Sequence, residues 1–204
     1  MTRWQIPEPI PIDWPMRTLE SARITWGRLD DGSFRQVIEH APLPGVTTAM
    51  CLWYLERVDT DLTWRGRTVL AYRLWHPRDH IFFKRLGTFG AGDRWHIVEA
   101  FGADRRFLLD QVFHVTKIDE TGFTIEVRRL GRVILTADEA WRPEPAGLSW
   151  TVTMTLHAQS SLLRPASGLI TRRAMPVLER WRQHNVEEAG NLPHFLPGLH
   201  AGRT

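Results

Sequence analysis

His184 and Glu188 stand four residues apart near the end of the chain, in Trp181-Arg182-Gln183-His184-Asn185-Val186-Glu187-Glu188. On a helix, residues at that spacing project side by side, with roughly 6 Å between their β-carbons. An imidazole nitrogen and a carboxylate oxygen so placed can share one cation; the alternative is a solvated His–Glu pair. Ile170, Val177, Trp181, His184 and Glu188 follow at steps of seven, four, three and four, so all five fall on one helix face. The pair therefore continues an apolar stripe, while Arg180 and Glu187 fall on other faces and read as solvated.

Glu99 is a second chemical signal. Trp95–Phe101 has strand composition, and alternation puts Trp95, Ile97, Glu99 and Phe101 on one face. Glu99 is the one polar group on that bulky face. A lone buried carboxylate is costly unless it is paired or bound to metal. A register shift of one residue would expose it instead.

The third signal is Tyr72-Arg73-Leu74-Trp75-His76-Pro77-Arg78-Asp79-His80. Thr68–Trp75 reads as a strand, with Tyr72 on the face of Leu70 and Leu74, so its hydroxyl points inward and needs a partner. Strict alternation favours His76 as the inward histidine. The turn at Pro77 can instead swing His80 back over a cavity, so both stay open. The alternative is a Trp-His-Pro turn of purely structural role.

Together these elements offer two His and two carboxylates, a set that suits zinc and also accommodates iron or manganese. The lone Cys51 excludes a disulfide framework and a Cys-built zinc finger. No His-Glu-x-x-His, Gly-x-Ser-x-Gly, Gly-x-Gly-x-x-Gly or phosphate-binding loop is present. His40, His114, His194 and His200 stand in contexts that ask for nothing special.

The elements that must position these residues read as one domain over 1–204, of class α+β. Residues 1–17 hold four of thirteen prolines and form an extended arm. Glu20–Trp26 is a short strand. Val46–Val58 is a helix that Thr47 or Thr48 can cap. A turn-like stretch, Asp59–Gly66, follows. Trp95–Phe101, Arg106–Lys117, Phe123–Arg129, Arg132–Trp141 and Leu148–Ala158 continue as strands between Gly- and Asp-rich turns, an antiparallel meander of about five or six strands with Thr68–Trp75. Ser167–Ala189 is the last helix, kinked or started at Pro176, with Gly190 as its cap and Pro193 ending it. A curved sheet around that helix would enclose a cavity.

Of 26 basic residues, 24 are Arg, scattered without the run of like charges that marks a nucleic-acid-binding tail. The longest apolar run, Ala49–Leu55, is far short of the ~20 residues that span a bilayer. No leader or transit pattern opens the chain, so the cytoplasm is the expected compartment. Ten Trp suit a pocket for flat aromatic ligands.

Val46–Tyr54, Tyr72–His80 and the run His184-Asn185-Val186-Glu187-Glu188-Ala189-Gly190-Asn191-Leu192-Pro193-His194-Phe195-Leu196-Pro197 resemble the 2,4-diacetylphloroglucinol hydrolase family, which also includes phloretin hydrolase. The resemblance covers residues 40–200. It implies a Bet v 1-like (START-like) helix-grip fold, and hydrolysis of the carbon–carbon bond between an acyl group and a polyhydroxylated aromatic ring. It implies one divalent ion, zinc, held by His80, Glu99, His184 and Glu188. His80 is preferred over His76 because a family tyrosine precedes the metal histidine by eight residues, as Tyr72 precedes His80. Tyr72 and His157 are the implied catalytic residues, although alternation with Trp150, Val152, Met154 and Leu156 points His157 outward. Phe83 stands where the family has an asparagine, and a second family tyrosine has no clear match. The implied partner is an aromatic small molecule, with no nucleic acid and no membrane; a homodimer stays open. The rival readings are a non-catalytic helix-grip carrier of apolar molecules and a metal enzyme of another reaction.

Overall fold

Apolar–polar alternation broken by glycine turns produces a nine-stranded antiparallel sheet. The computed structural model describes residues 4–158 and 164–202, with side chains over 4–158 and 175–202. In chain order the elements are β1 (Ala22–Arg28), β2 (Phe34–His40), the short β3 (Leu43–Pro44), α1 (Thr48–Leu55), β4 (Asp61–Trp64), β5 (Arg67–Leu70) and α2 (Ala71–Trp75). Then come β6 (His80–Arg85), β7 (Arg94–Ala100), β8 (Leu108–Asp119), β9 (Gly122–Arg129), β10 (Arg132–Glu144), β11 (Gly147–Leu156) and α3 (Arg164–His200). The sheet runs β1-β2-β11-β10-β9-β8-β7-β6, with β3 beside β11 and β4-β5 as a separate hairpin. Irregular registers at Val133/Leu135, Val115/Lys117 and His80/Phe82 bend the strands, as bulges do. The inward face packs against α3, which is the helix-grip arrangement. Among the described residues no helix is long and apolar enough to cross a membrane.

Thr47 caps α1, its side chain accepting from the Met50 amide at 3.2 Å. The Pro-rich arm lies against the body: the Ile10 amide donates to the Pro77 carbonyl at 3.1 Å, and Trp14 Nε1 to Asn191 Oδ1 at 2.6 Å.

Four expectations are corrected. The sheet has more strands than the meander expected, because β2, the short β3 and β6 were not foreseen. The turn-like stretch contributes β4 to a hairpin. Thr68–Trp75 is not one strand: the strand ends at Leu70, and Ala71–Trp75 is a helical turn burying Ala71, Tyr72, Leu74 and Trp75. Strand alternation therefore does not place His76. Finally, α3 continues through Gly190, Pro193 and Pro197 to His200. An interior proline costs ~3 kcal/mol. Burial of Leu192, Phe195, Leu196 and Leu199 offsets that cost. Gly190 is not a cap but a point of close approach, since a Cβ there would meet Arg17 Cβ at 2.9 Å. Arg17 is held by the Ala41 and Pro42 carbonyls at 2.8 and 2.9 Å.

Gly190→Ala should thus reverse the usual helix rule. In an open helix the change stabilises by ~1 kcal/mol; here the overpacking should destabilise by about 1–3 kcal/mol. Urea unfolding of the two proteins checks this, and a gain in stability would show that Arg17 yields freely.

His40, at the end of β2, is buried and donates from Nε2 to Asn185 Oδ1 at 3.1 Å. Burial, reinforced by the Arg17 charge, pushes its pKa from 6.5 down to about 4, against the Asn185 hydrogen bond. The folded state then binds fewer protons than the unfolded one below pH 6.5, so stability falls as pH drops from about 6.5 to about 4. The full loss is roughly 3 kcal/mol. A His40→Gln protein should show a shallower fall over that window when urea midpoints are followed against pH.

Candidate metal centre

Four side chains from three elements meet at the end of the sheet beside α3. His80 and Glu99 are cross-strand partners on β6 and β7. Directly opposed residues hold their β-carbons roughly 4.5–5.5 Å apart. The irregularity between His80 and Phe82 matters here. Phe83 pairs with Ile97 and His80 with Glu99, and all four face inward, although His80 and Phe83 are three apart in a strand of period two. The extra residue, Ile81, restores the phase. From the helix, His184 and Glu188 project together, as their spacing predicts.

The distances form a closed set. His80 Nε2 lies 3.4 Å from Glu99 Oε1 and 3.5 Å from Glu188 Oε2. His184 Nε2 lies 3.8 Å from Glu99 Oε2 and 3.6 Å from Glu188 Oε2. The donors of His80, Glu99 and His184 all fall within 4.8 Å of one another. A tetrahedral site with bonds of roughly 2.0–2.2 Å has donor–donor edges of roughly 3.3–3.6 Å. His80 Nε2 is buried with no hydrogen-bond partner, an orphaned atom that a cation would satisfy.

Hydrogen bonds behind the two imidazoles fix their tautomers. His80 Nδ1 sits 2.8 Å from the Tyr72 carbonyl, and His184 Nδ1 sits 3.1 Å from Asp79 Oδ2. Both partners only accept, so each Nδ1 carries a proton and each ring turns its Nε2 to the cluster, where a neutral ring offers a lone pair. Burial depresses the His80 pKa to about 4. Burial also opposes charge on His184, but Glu188, Glu99 and Asp79 outweigh it and raise its pKa to about 9. Burial raises the Glu188 carboxyl above the usual range, against the pull of His184 and His76. Asn185 Nδ2 donates to Glu188 Oε1 at 2.8 Å.

His76 stands behind the cluster. Its Nδ1 accepts the Asp79 amide at 3.1 Å and its Nε2 donates to Glu187 Oε2 at 3.0 Å, so both nitrogens are engaged. It stacks on His184, with centroids 4.5 Å apart and planes at 8°. Glu187 is not solvated as its helix face suggested: it is buried and also takes Arg78 Nη2 at 2.7 Å. His76, Asp79 and His184 form a second close group of donors. Its atoms are already committed to hydrogen bonds, so it reads as a supporting layer.

Tyr72 is buried, and its hydroxyl donates to Glu99 Oε1. Its ring stacks on His80, centroids 3.7 Å apart and planes at 6°. Burial first, then the Glu99 charge and hydrogen bond, hold its pKa well above 10. His157 lies elsewhere. Met154 and Leu156 face the cavity, so the next residue points away, and His157 Nε2 meets Thr136 Oγ1 at 2.8 Å. His157 is not among the residues lining the cavity, which corrects the expectation for it.

Three members of the cluster, Glu99, His184 and Glu188, form one wall of a cavity of about 310 Å³ between sheet and helix, with His80 behind them. The remaining wall is largely aromatic and aliphatic, including Trp75, Phe83, Trp95, Phe101, Phe113, Phe123 and Trp181. Asp79 and Glu139 were missed at the sequence level. For Glu139 the signal existed, since Ala137, Glu139 and Trp141 alternate as Ile97, Glu99 and Phe101 do. For Asp79 there was none, because it lies in a turn without a period.

No family model matches the chain, and no curated protein matches it. Among solved structures it is similar to protein NE0264 from Nitrosomonas europaea, at 12% identity and TM-score 0.50, covering 81% of this chain and 97% of that one. It is similar to the KanY protein (ms6282) at 12% identity and TM-score 0.50, covering 91% of this chain and 100% of that one. Protein Ms6760 from Mycobacterium smegmatis matches at 12% identity and TM-score 0.49, covering 87% and 100%. The first two likenesses are of fold alone. The helix-grip fold is shared. Within that fold, the chemistry must be argued from this chain's own buried donors.

Proposed function

We propose that the protein is a metal-dependent hydrolase that cleaves the bond between an acyl carbon and a polyhydroxylated aromatic ring. The observation that carries this reading is the convergence of two imidazole Nε2 atoms and two carboxylates, 3.4–3.8 Å apart, on the wall of an aromatic-lined cavity. The resemblance of Tyr72–His80 and His184–Pro197 to the 2,4-diacetylphloroglucinol hydrolase family supports it independently. His80, Glu99, His184 and Glu188 would hold a divalent ion, which would supply Lewis acidity and lower the pKa of water from ~15.7 towards ~7.

The chain's own residues do the rest. The aromatic walls grip a flat ring and exclude bulk water. Tyr72 stays a phenol, because burial opposes its ionisation. Its Oη donates to Glu99 and orients that carboxylate, and beside the cluster the phenol is placed to relay a proton to a ring carbon or ring oxygen. Overall, water adds to the acyl carbon, the acyl–ring bond breaks, and its electron pair leaves on the ring carbon, which takes a proton. The products are a carboxylic acid and the free phenol.

The test is incubation of the zinc-loaded protein with trihydroxyacetophenone, with release of acetate and phloroglucinol followed by chromatography. Tyr72→Phe should keep bound zinc and lose about 10²–10⁴-fold in kcat, the range of general acid–base contributions. Absence of both products would overturn the hydrolase reading. The apolar cavity favours a second reading, a carrier of aromatic molecules; binding without bound metal and without turnover would favour it.

A further inference from the structure

Apart from the four-donor cluster, the cavity wall holds another enclosed carboxyl. Glu139 lies on β10, opposite Phe123 on β9 and Val152 on β11, and is buried. Its Oε2 accepts from Trp150 Nε1 at 2.5 Å. Among the described residues no donor or acceptor reaches Oε1, although Glu139 lines the cavity. A carboxyl oxygen that opens on a mainly apolar cavity is poorly served there, so it asks for a ligand with a polar group. Two other polar side chains of the wall are engaged elsewhere: Asn185 bridges His40 and Glu188, and the Gln111 amide nitrogen donates to the Val112 carbonyl.

Burial, and then the Glu188 charge, hold the Glu139 carboxyl well above the usual range, which favours its neutral form. A neutral carboxylic acid has one O–H donor and an acceptor oxygen. The Trp150 N–H uses the acceptor, which leaves the O–H on Oε1 for the cavity. From β7 to β10 is three strand spacings, roughly 14 Å along the sheet, and side chains reach inward from both ends of that span. A single substituted ring fits between them.

We propose that Glu139 is the specificity-determining residue of the cavity, its Oε1 hydrogen-bonding an oxygen substituent of an aromatic ring whose other side faces the Glu99–His184 cluster. This rests on the reading of the cavity as a site for oxygenated aromatic rings.

The test is titration of the purified protein with phloroglucinol, which has ring oxygens and no acyl bond to cleave, and with acetophenone, which has no ring oxygen. Tryptophan fluorescence reports binding, because Trp75 and Trp95 line the cavity. Glu139→Leu should weaken phloroglucinol binding by about tenfold or more and change acetophenone binding by less than about threefold. Glu139→Gln, which keeps a donor and an acceptor for Trp150, should restore phloroglucinol binding to within about threefold. Zinc content should be the same in all three proteins. Equal weakening for both ligands, no weakening for either, or no binding of phloroglucinol by the unchanged protein would overturn the proposal. Selective weakening in a protein that never cleaves an aryl ketone would sustain it while the hydrolase reading fails. Cleavage with a KM that ignores Glu139→Leu would do the reverse.

Discussion

Zinc-loaded and desalted, the protein is expected to carry about one ion per chain, and His80→Ala is expected to carry none. His80 Nε2 is a buried atom with no hydrogen-bond partner that faces the cluster, and the ring's tautomer is set by the Tyr72 carbonyl. Removing it takes away one of two nitrogens and leaves Glu99 and Glu188 facing each other's charge with a single imidazole. His184→Ala should behave alike. His76→Ala should still fill at saturating zinc, with affinity lowered by ~10–100-fold, because His76 acts only through Asp79, Glu187 and its stacking on His184. Elemental analysis gives the stoichiometry, and competition with a coloured chelator gives the affinities. Full zinc occupancy in His80→Ala with loss in His76→Ala would exchange the two roles.

Asp79→Ala is expected to be the most destabilising single change near the site. The carboxylate is fully buried, and each oxygen is doubly used. Oδ1 takes Arg78 Nε at 2.8 Å and the Ala103 amide at 3.1 Å; Oδ2 takes the Gly102 amide at 2.8 Å and His184 Nδ1 at 3.1 Å. Burial alone would raise its pKa, but the His184 hydrogen bond, the neighbouring imidazoles and Arg78 hold it far below the usual carboxylate range. Truncation leaves the Gly102 and Ala103 amides and a buried imidazole N–H without their acceptor. Breaking such a buried charged network costs about 3–5 kcal/mol. That is a fall in Tm of about 10 °C for a chain of this size. The sign with pH follows from the depressed pKa: the contribution is complete above the unfolded value of 3.8 and is lost as pH falls below it. Calorimetry of the two metal-free proteins at neutral pH measures the loss. A difference under ~1 kcal/mol would mean that water replaces the carboxylate.

The parts of this site that are legible in the sequence are those governed by a local period. A 3.6-residue repeat puts His184 and Glu188 on the stripe of Trp181, and a period of two puts Glu99 among Trp95, Ile97 and Phe101. Both placements depend only on backbone geometry, and both hold in the fold. What one element faces in another is not local. That His80 rather than His76 meets Glu99 depends on β6 pairing with β7, and on the irregular register after His80 that turns it inward. Ala71–Trp75 is a five-residue, largely apolar segment too short to tell a helix from a strand, and burial of Ala71, Tyr72, Leu74 and Trp75 accompanies the helix. Pro193 and Pro197 carry a local penalty that a sequence reading must respect; only the buried contacts of Leu192, Phe195, Leu196 and Leu199 show that it is outweighed. Asp79 gathers donors from β6's approach, from the turn after β7 and from α3, three segments as much as 105 residues apart. No repeat along the chain can announce such a group, because its role exists only where those segments are packed together.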